Sequence, residues 1–122
     1  ESRASSVVLH GYPAPFASLA ALSADAPRYA DRFEVYAAGV ELCNGFGELT
    51  DPDEQRRRFV RDQAERGARG LPVYPLDERF LAALAEGMPP SSGNALGFDR
   101  LVQLAAGVAS IADVIAIPAA EA

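Results

Sequence analysis

Apolar and polar positions alternate most plainly between Phe33 and Phe46. Phe33 to Tyr36 and Val40 to Phe46 carry the β-branched and aromatic residues of strands and are joined around Ala38-Gly39, which predicts a β-hairpin. Upstream, Val7-Val8-Leu9 predicts a short strand, and Pro13 and Pro15 then end regular structure, leaving an irregular segment through Ala17 to Arg28. Downstream the period becomes helical. Asp51-Pro52-Asp53-Glu54 reads as a cap, a first-turn proline and a carboxylate placed to reach back, so a helix is predicted from 52 to 69 with Gly70 as its stop. A second helix is predicted over 77–86, with Phe80, Leu81 and Leu84 as its apolar stripe and Gly87 at its end. Ser91 to Arg100 is a glycine-bearing extended segment that feeds a third helix over 98–106, placing backbone N–H groups and one arginine at a helix start. Ser110 resembles another cap, and Val114 to Ile117 is a final apolar run. The predicted fold class is α+β, an antiparallel β-sheet flanked by helices.

Composition narrows what such a chain can do. Its 122 residues are enough for one domain with a core. Seventeen acidic residues against eleven basic ones give a net charge of −6, which speaks against a general nucleic-acid or anionic-membrane surface and for a cationic or metal-bound ligand. The single cysteine, Cys43, excludes an intrachain disulfide and a cysteine-based zinc site, so the expected compartment is the cytoplasm. No run approaches the roughly 20 apolar residues of a membrane span, and the start ESRASSVVLHG lacks the pattern of a signal peptide. The chain lacks an initiator Met and is expected to be a piece of something longer.

Several polar features have ordinary explanations. EQRRRFVRDQAER looks like a basic patch, yet Glu54–Arg58, Asp62–Arg66 and Glu65–Arg69 are acid-before-base pairs four residues apart, which predicts a solvated helix face. His10, the only histidine, is read as a surface or structural residue, Cys43 as a small half-buried strand residue, and Met88 and Phe98 as packing residues. GNALG, residues Gly93 to Gly97, lacks the Lys-Ser/Thr of a P-loop and the full dinucleotide glycine spacing. Glu34, Glu41, Asn44 and Glu48 on the hairpin fit either one solvated face or an acidic cleft.

Two motifs in combination go further. ELCNGFGELTDPDEQRRRF and GNALGFDRLVQLA, in this order and at this separation, resemble the C-terminal half of the catalytic domain of class II lysyl-tRNA synthetases. The likeness is greatest to their paralogues, the ligases that attach β-lysine to elongation factor P. It extends over YPAPFASLA, DRFEVYAAGVEL, GLPVYPLDERFLAAL and ASIADVIAIP, and so over nearly the whole chain. The resemblance implies one partial catalytic domain over 1–122, without counterparts of the first two class II motifs.

The same resemblance implies roles. Glu34 and Glu41 would face the ATP phosphates and hold Mg²⁺, which takes hard oxygen ligands. Arg100 would lie along adenine and reach the γ-phosphate, so Arg100 and Glu41 are the implied catalytic residues, with Gly97 also at the nucleotide. Asn44, Phe46, Glu48 and Ala95 would contact the amino acid, with Glu48 meeting the side-chain ammonium. Ala95 stands where lysyl-tRNA synthetases usually carry glycine and the elongation factor P ligases alanine. Implied partners are lysine or β-lysine and, as acceptor, elongation factor P or tRNA, in a cytoplasmic homodimer. A lysyl-tRNA synthetase fragment and a non-catalytic truncated binding module are the rival readings.

Strand parity sets a condition on this site. With a two-residue turn at Ala38-Gly39, Glu34, Tyr36, Glu41 and Cys43 share one face, and Asn44 and Glu48 have the opposite parity. A single pocket for all four polar residues requires one extra residue near Cys43 to Gly47, where Gly45 or Gly47 would permit a bulge.

Overall fold

The computed structural model describes residues 5–118. Strands β1 (Ser6–His10), β2 (Arg32–Ala37), β3 (Val40–Gly47) and β4 (Ser92–Leu96) form one antiparallel sheet in the order β1-β2-β3-β4. Helices α1 (Pro52–Ala68) and α2 (Glu78–Glu86) lie in sequence between β3 and β4, and α3 (Phe98–Ala106) follows β4 after one residue. The predicted α+β architecture is the one observed.

The β2–β3 turn has both central residues left-handed, Ala38 at φ 50° and Gly39 at φ 78°. This is the combination whose twist suits a two-residue hairpin, and only Gly39 adopts it without steric cost. Asp51 caps α1 by accepting from the N–H groups of Asp53 at 2.8 Å and Glu54 at 3.1 Å. The carboxylate of Glu54 does not reach back as a capping box would; Arg57 and Arg58 take it, at 3.0 and 2.9 Å. Asp77 caps α2 through the Phe80 N–H at 2.9 Å. Ser110 accepts from the Ala112 N–H at the start of a single 3₁₀ turn, and Val114 to Ile117 forms no strand.

The buried apolar side chains among the described residues are small or few: Ala17, Ala20 and Ala30, with Tyr12 and Phe46 packed against them, and Leu81 and Leu84 on α2. The core is thinner than the composition suggests. Phe80 lies at the edge of the α2 stripe, its ring 6.0 Å from that of Phe59 on α1. Phe98, expected to pack, is 67% exposed at the first position of α3, where no apolar element covers it among the described residues.

The α1 surface departs from a fully solvated face. Arg58 is buried and donates to the carbonyls of Ser18 at 2.9 Å and Ala20 at 2.7 Å, tying the irregular 17–30 segment to the helix. Gln55, one turn earlier, is also buried. Of the predicted pairs only Glu54–Arg58 forms; Arg66 instead donates to the Pro72 carbonyl at 2.6 Å, and Glu65 faces Arg61 at 3.9 Å. No helix among the described residues is long and apolar enough to cross a membrane.

Candidate functional site

The register of the β2–β3 pair decides which polar residues meet. Glu34 lies opposite Asn44 and Tyr36 opposite Glu41, and the ladder shifts between Val35 and Tyr36, where β3 carries Leu42 as an extra residue. The bulge required by the sequence parity exists, at Leu42 and not at Gly45 or Gly47. Its position has a physical basis: the Leu42 carbonyl accepts from the Gly97 N–H at 2.8 Å and the Glu41 carbonyl from Arg100 Nη1 at 2.8 Å, so the β4–α3 junction supports the displaced backbone. The two glycines serve packing: a Cβ at Gly45 would run into the Phe33 ring, and one at Gly47 into the Asp31 carboxylate.

Because of Leu42, Glu34, Tyr36, Glu41, Asn44 and Phe46 present to one face, and Cys43 turns to the other with Val35. On β4, Ala95 pairs with Asn44 and Gly93 with Phe46, so these two small residues continue the same face. Glu48, just beyond β3, bridges to Ala20, and its N–H donates to the Ser91 carbonyl at 3.0 Å. Its carboxylate lies over Gly93, where any Cβ would collide with it. The space above Gly93 is thus taken by Glu48, and the space beside Gly97 by the stem of Arg100, whose Cδ would be 3.0 Å from a Cβ there. Arg100 is on the first turn of α3 with its guanidinium 3.9 Å from the Glu41 carboxylate, both partly exposed. Asp99 is inside the first turn of α3.

Glu34 is the buried acid of the face. It receives the Arg32 guanidinium at 2.5 Å and the Tyr36 hydroxyl at 2.7 Å. The Tyr12 and Tyr36 hydroxyls, together with Arg32, hold its carboxyl below the usual glutamate value against the opposing effect of burial. Burial and the same carboxylate push the Tyr12 phenol up to about 12, and the hydrogen bond to Glu34, ahead of burial, raises that of Tyr36. Arg32 and Tyr12 were not among the residues singled out in the sequence, although Arg32 and Glu34, two apart on a strand, carry the signal of a same-face pair.

No group of three or more metal-ligating side chains occurs among the described residues. Magnesium on a nucleotide retains water and phosphate oxygens and needs only one or two protein carboxylates. Glu41, partly exposed on the open face, suits that need, whereas Glu34 already spends its oxygens on Arg32 and Tyr36. An apolar hollow of about 250 Å³ lies elsewhere, between α1 and the segment before α2, lined by Phe59, Tyr74 and Leu76 among others, and contains none of the candidate residues.

The chain has close counterparts in sequence. Residues 1–121 match the family described as class II tRNA synthetases (D, K and N). The elongation factor P--(R)-beta-lysine ligase of Proteus mirabilis is 60% identical over 110 residues, covering 90% of this chain and 34% of that protein. The ligases of the same name from Salmonella dublin and Salmonella paratyphi B are each 56% identical over 108 residues, covering 88% of this chain and 33% of theirs. The chain therefore spans about a third of the length of these relatives. With its whole described sheet and all three helices inside the matched range, the chain belongs to the class II tRNA synthetases of the D, K and N group.

Proposed function

We propose that the chain is the C-terminal catalytic portion of an ATP-dependent ligase that activates lysine or β-lysine as an adenylate and passes it to elongation factor P. It would form one partial class II catalytic domain over 1–122 and work in the cytoplasm as a homodimer. The observation that carries this reading is the Leu42 bulge, which gathers an acid pair, an amide, an aromatic ring and small β4 residues on one sheet face.

The chemistry asked of these residues is positioning and charge balance. A carboxylate oxygen of the amino acid attacks the α-phosphorus, the bond to the bridging oxygen breaks, and pyrophosphate leaves; the acceptor then displaces AMP. Magnesium, when bound, would neutralise phosphate charge; Glu41 would hold it, while Glu34, its oxygens taken by Arg32 and Tyr36, would contribute only its charge from behind. Arg100, planar and permanently charged, would lie against the nucleotide from α3. Glu48, set over Gly93, would draw the side-chain ammonium to the far end of the face. Asn44 and Phe46 would hold the body of the amino acid above Ala95. No residue here is required as a general base, since reactant geometry and a preorganised field supply most of such a rate.

Amino-acid-dependent exchange of pyrophosphate into ATP tests the reading, performed on the full natural polypeptide that carries this sequence. Exchange with β-lysine above that with α-lysine is expected, and none above background from residues 1–122 alone. Preference for α-lysine with charging of tRNA would favour a lysyl-tRNA synthetase, the reading against which Ala95 speaks. Lysine binding without exchange would instead identify a non-catalytic binding module.

A further inference from the structure

Arg32, the first residue of β2, lies opposite Phe46 on the same face, yet nothing in the functional reading uses it. Its side chain is 16% exposed and each of its three nitrogens has a partner. Nη2 meets Glu34 Oε1 at 2.5 Å, Nη1 the Phe16 carbonyl at 2.8 Å, and Nε the Asn44 Oδ1 at 3.4 Å. The guanidinium carbon lies 4.4 Å from the centre of the Tyr12 ring and 5.6 Å from that of Phe46. One rigid, planar group thus joins an acid of the nucleotide side to both the amide and the ring assigned to the amino acid. It also anchors all three to backbone outside the sheet.

The bond to Asn44 has a directional consequence. An amide that accepts through Oδ1 has its NH₂ end turned away from the arginine, so Arg32 sets which end of Asn44 meets a ligand. The donor end then faces out, where it suits an acceptor oxygen of the amino acid. The 3.4 Å separation is long for such a bond, so the Asn44 contact is the weakest of the three. Lysine in place of arginine would keep the charge beside Glu34 but could not hold three directions at once.

We infer that Arg32 is a positioning residue for the amino-acid substrate, fixing the Asn44 amide and the Phe46 ring from behind while Glu34 anchors the guanidinium. The inference rests on the functional reading above. A bare counter-ion for Glu34 would have no such effect on the amino acid, and this difference is measurable.

The test uses the full natural polypeptide, Arg32→Lys, and the double variant Arg32→Met/Glu34→Gln, in which the buried charges are removed together. Amino-acid affinity is read by calorimetry without ATP, and KM, kcat and thermal midpoint are followed beside it. Arg32→Lys is expected to weaken the amino acid about tenfold, the scale of one lost charged hydrogen bond, with kcat and the KM for ATP within about twofold of the parent. The double variant is expected to show the same loss of amino-acid affinity although no charge is left unpaired. Parental amino-acid affinity in either variant overturns the inference and leaves Arg32 as the counter-ion of Glu34. A uniform fall in all parameters, tracking the fraction of folded protein, also overturns it. A parent that neither binds nor activates any amino acid overturns the functional reading, and this inference with it.

Discussion

The hairpin from Phe33 to Leu49 and helix α1 are both rich in charge, and they use it in opposite ways. Along α1, Arg56, Arg57 and Arg61 meet Glu78, Glu54 and Glu65 with side chains that are largely exposed. Pairs of that kind contribute about 0–1 kcal/mol and are weakened by salt. On β2, Arg32 and Glu34 are enclosed, at 16% and 11% side-chain exposure, and share their remaining hydrogen-bonding capacity with Tyr36, Asn44 and a backbone carbonyl. Enclosure of this kind costs desolvation, and the return lies in geometry as much as in stability. A helix offers its charges to solvent over most of its circumference, while a strand gives each residue one of two faces. The hairpin therefore gathers its charges on one enclosed face where the helix disperses them.

Arg58 breaks the pattern from within α1, and the largest expected effect lies there. It is flanked by Arg57, so the two neighbours form a controlled pair. Arg58→Met would leave the buried Ala20 carbonyl and the part-buried Ser18 carbonyl without their donor, at a cost of roughly 2–4 kcal/mol. Arg57→Met should change stability by about 0.5 kcal/mol or less. Urea unfolding of both variants measures the difference. Equal midpoints would mean that burial does not distinguish the two arginines and that the contrast with the hairpin fails.

A smaller effect is expected at Glu48, which tests the ligand-facing half of the comparison. Glu48→Gln keeps the size and removes the charge, and should weaken lysine-type substrates by about 1.5–3 kcal/mol. ATP binding should change little. Gly93→Ala reaches the same carboxylate through position, since the new methyl would displace it. Substrate titration of both variants in the full natural polypeptide checks this, and undiminished lysine affinity in Glu48→Gln would remove the ammonium-selecting role.

Ala95→Gly should act more weakly, on a ratio. Deleting one methyl beside Asn44 alters shape and leaves charge untouched, and a methyl-sized difference discriminates by roughly 1–3 kcal/mol. The β-lysine to α-lysine preference should shift toward α-lysine in competition kinetics. An unchanged ratio would favour a lysyl-tRNA synthetase over the modifying ligase.

Local signals made much of this fold legible in the sequence. Asp51-Pro52 and Asp77 mark helix starts that the side-chain caps confirm, Gly70 and Gly87 mark stops, and Ala38-Gly39 marks the turn. These depend on neighbours in the chain. Parity also predicted that a bulge was needed, but glycine preference placed it a few residues late. What fixes it at Leu42 is a hydrogen bond from Gly97, more than fifty residues away, which no local rule contains. The burial of Arg58 escapes a local rule for the same reason: its spacing from Glu54 predicts the pair that forms, and only the return of the 17–30 segment encloses it. Arg32 is visible as a residue but not as a junction, because its partners Phe16 and Asn44 come from two stretches distant from each other and from its own strand position.

The smallest expected effect is a pH dependence that separates the hairpin network from the solvated pairs of α1. The folded pKa of Glu34 lies below its unfolded value near 4.5, so its contribution is fully present above that pH and is lost as the pH falls through the lower folded value. Glu34→Gln should therefore be less stable than the parent at neutral pH, with the two curves converging in acid. Tyr12 gives the alkaline counterpart. Its folded pKa is raised from 10.0 to about 12, so its contribution is complete below pH 10.0 and disappears as the pH rises through about 12. Glu34→Gln should pull the Tyr12 phenolate titration back toward its ordinary range, although burial, the larger cause, keeps part of the shift. Urea midpoints across the acid range and ultraviolet phenolate titration of parent and variant give both arms. A stability gap that stays constant from neutral pH into acid would show that the loss in Glu34→Gln comes from packing alone, and the contrast between an enclosed hairpin network and a solvated helix face would then rest on geometry without charge.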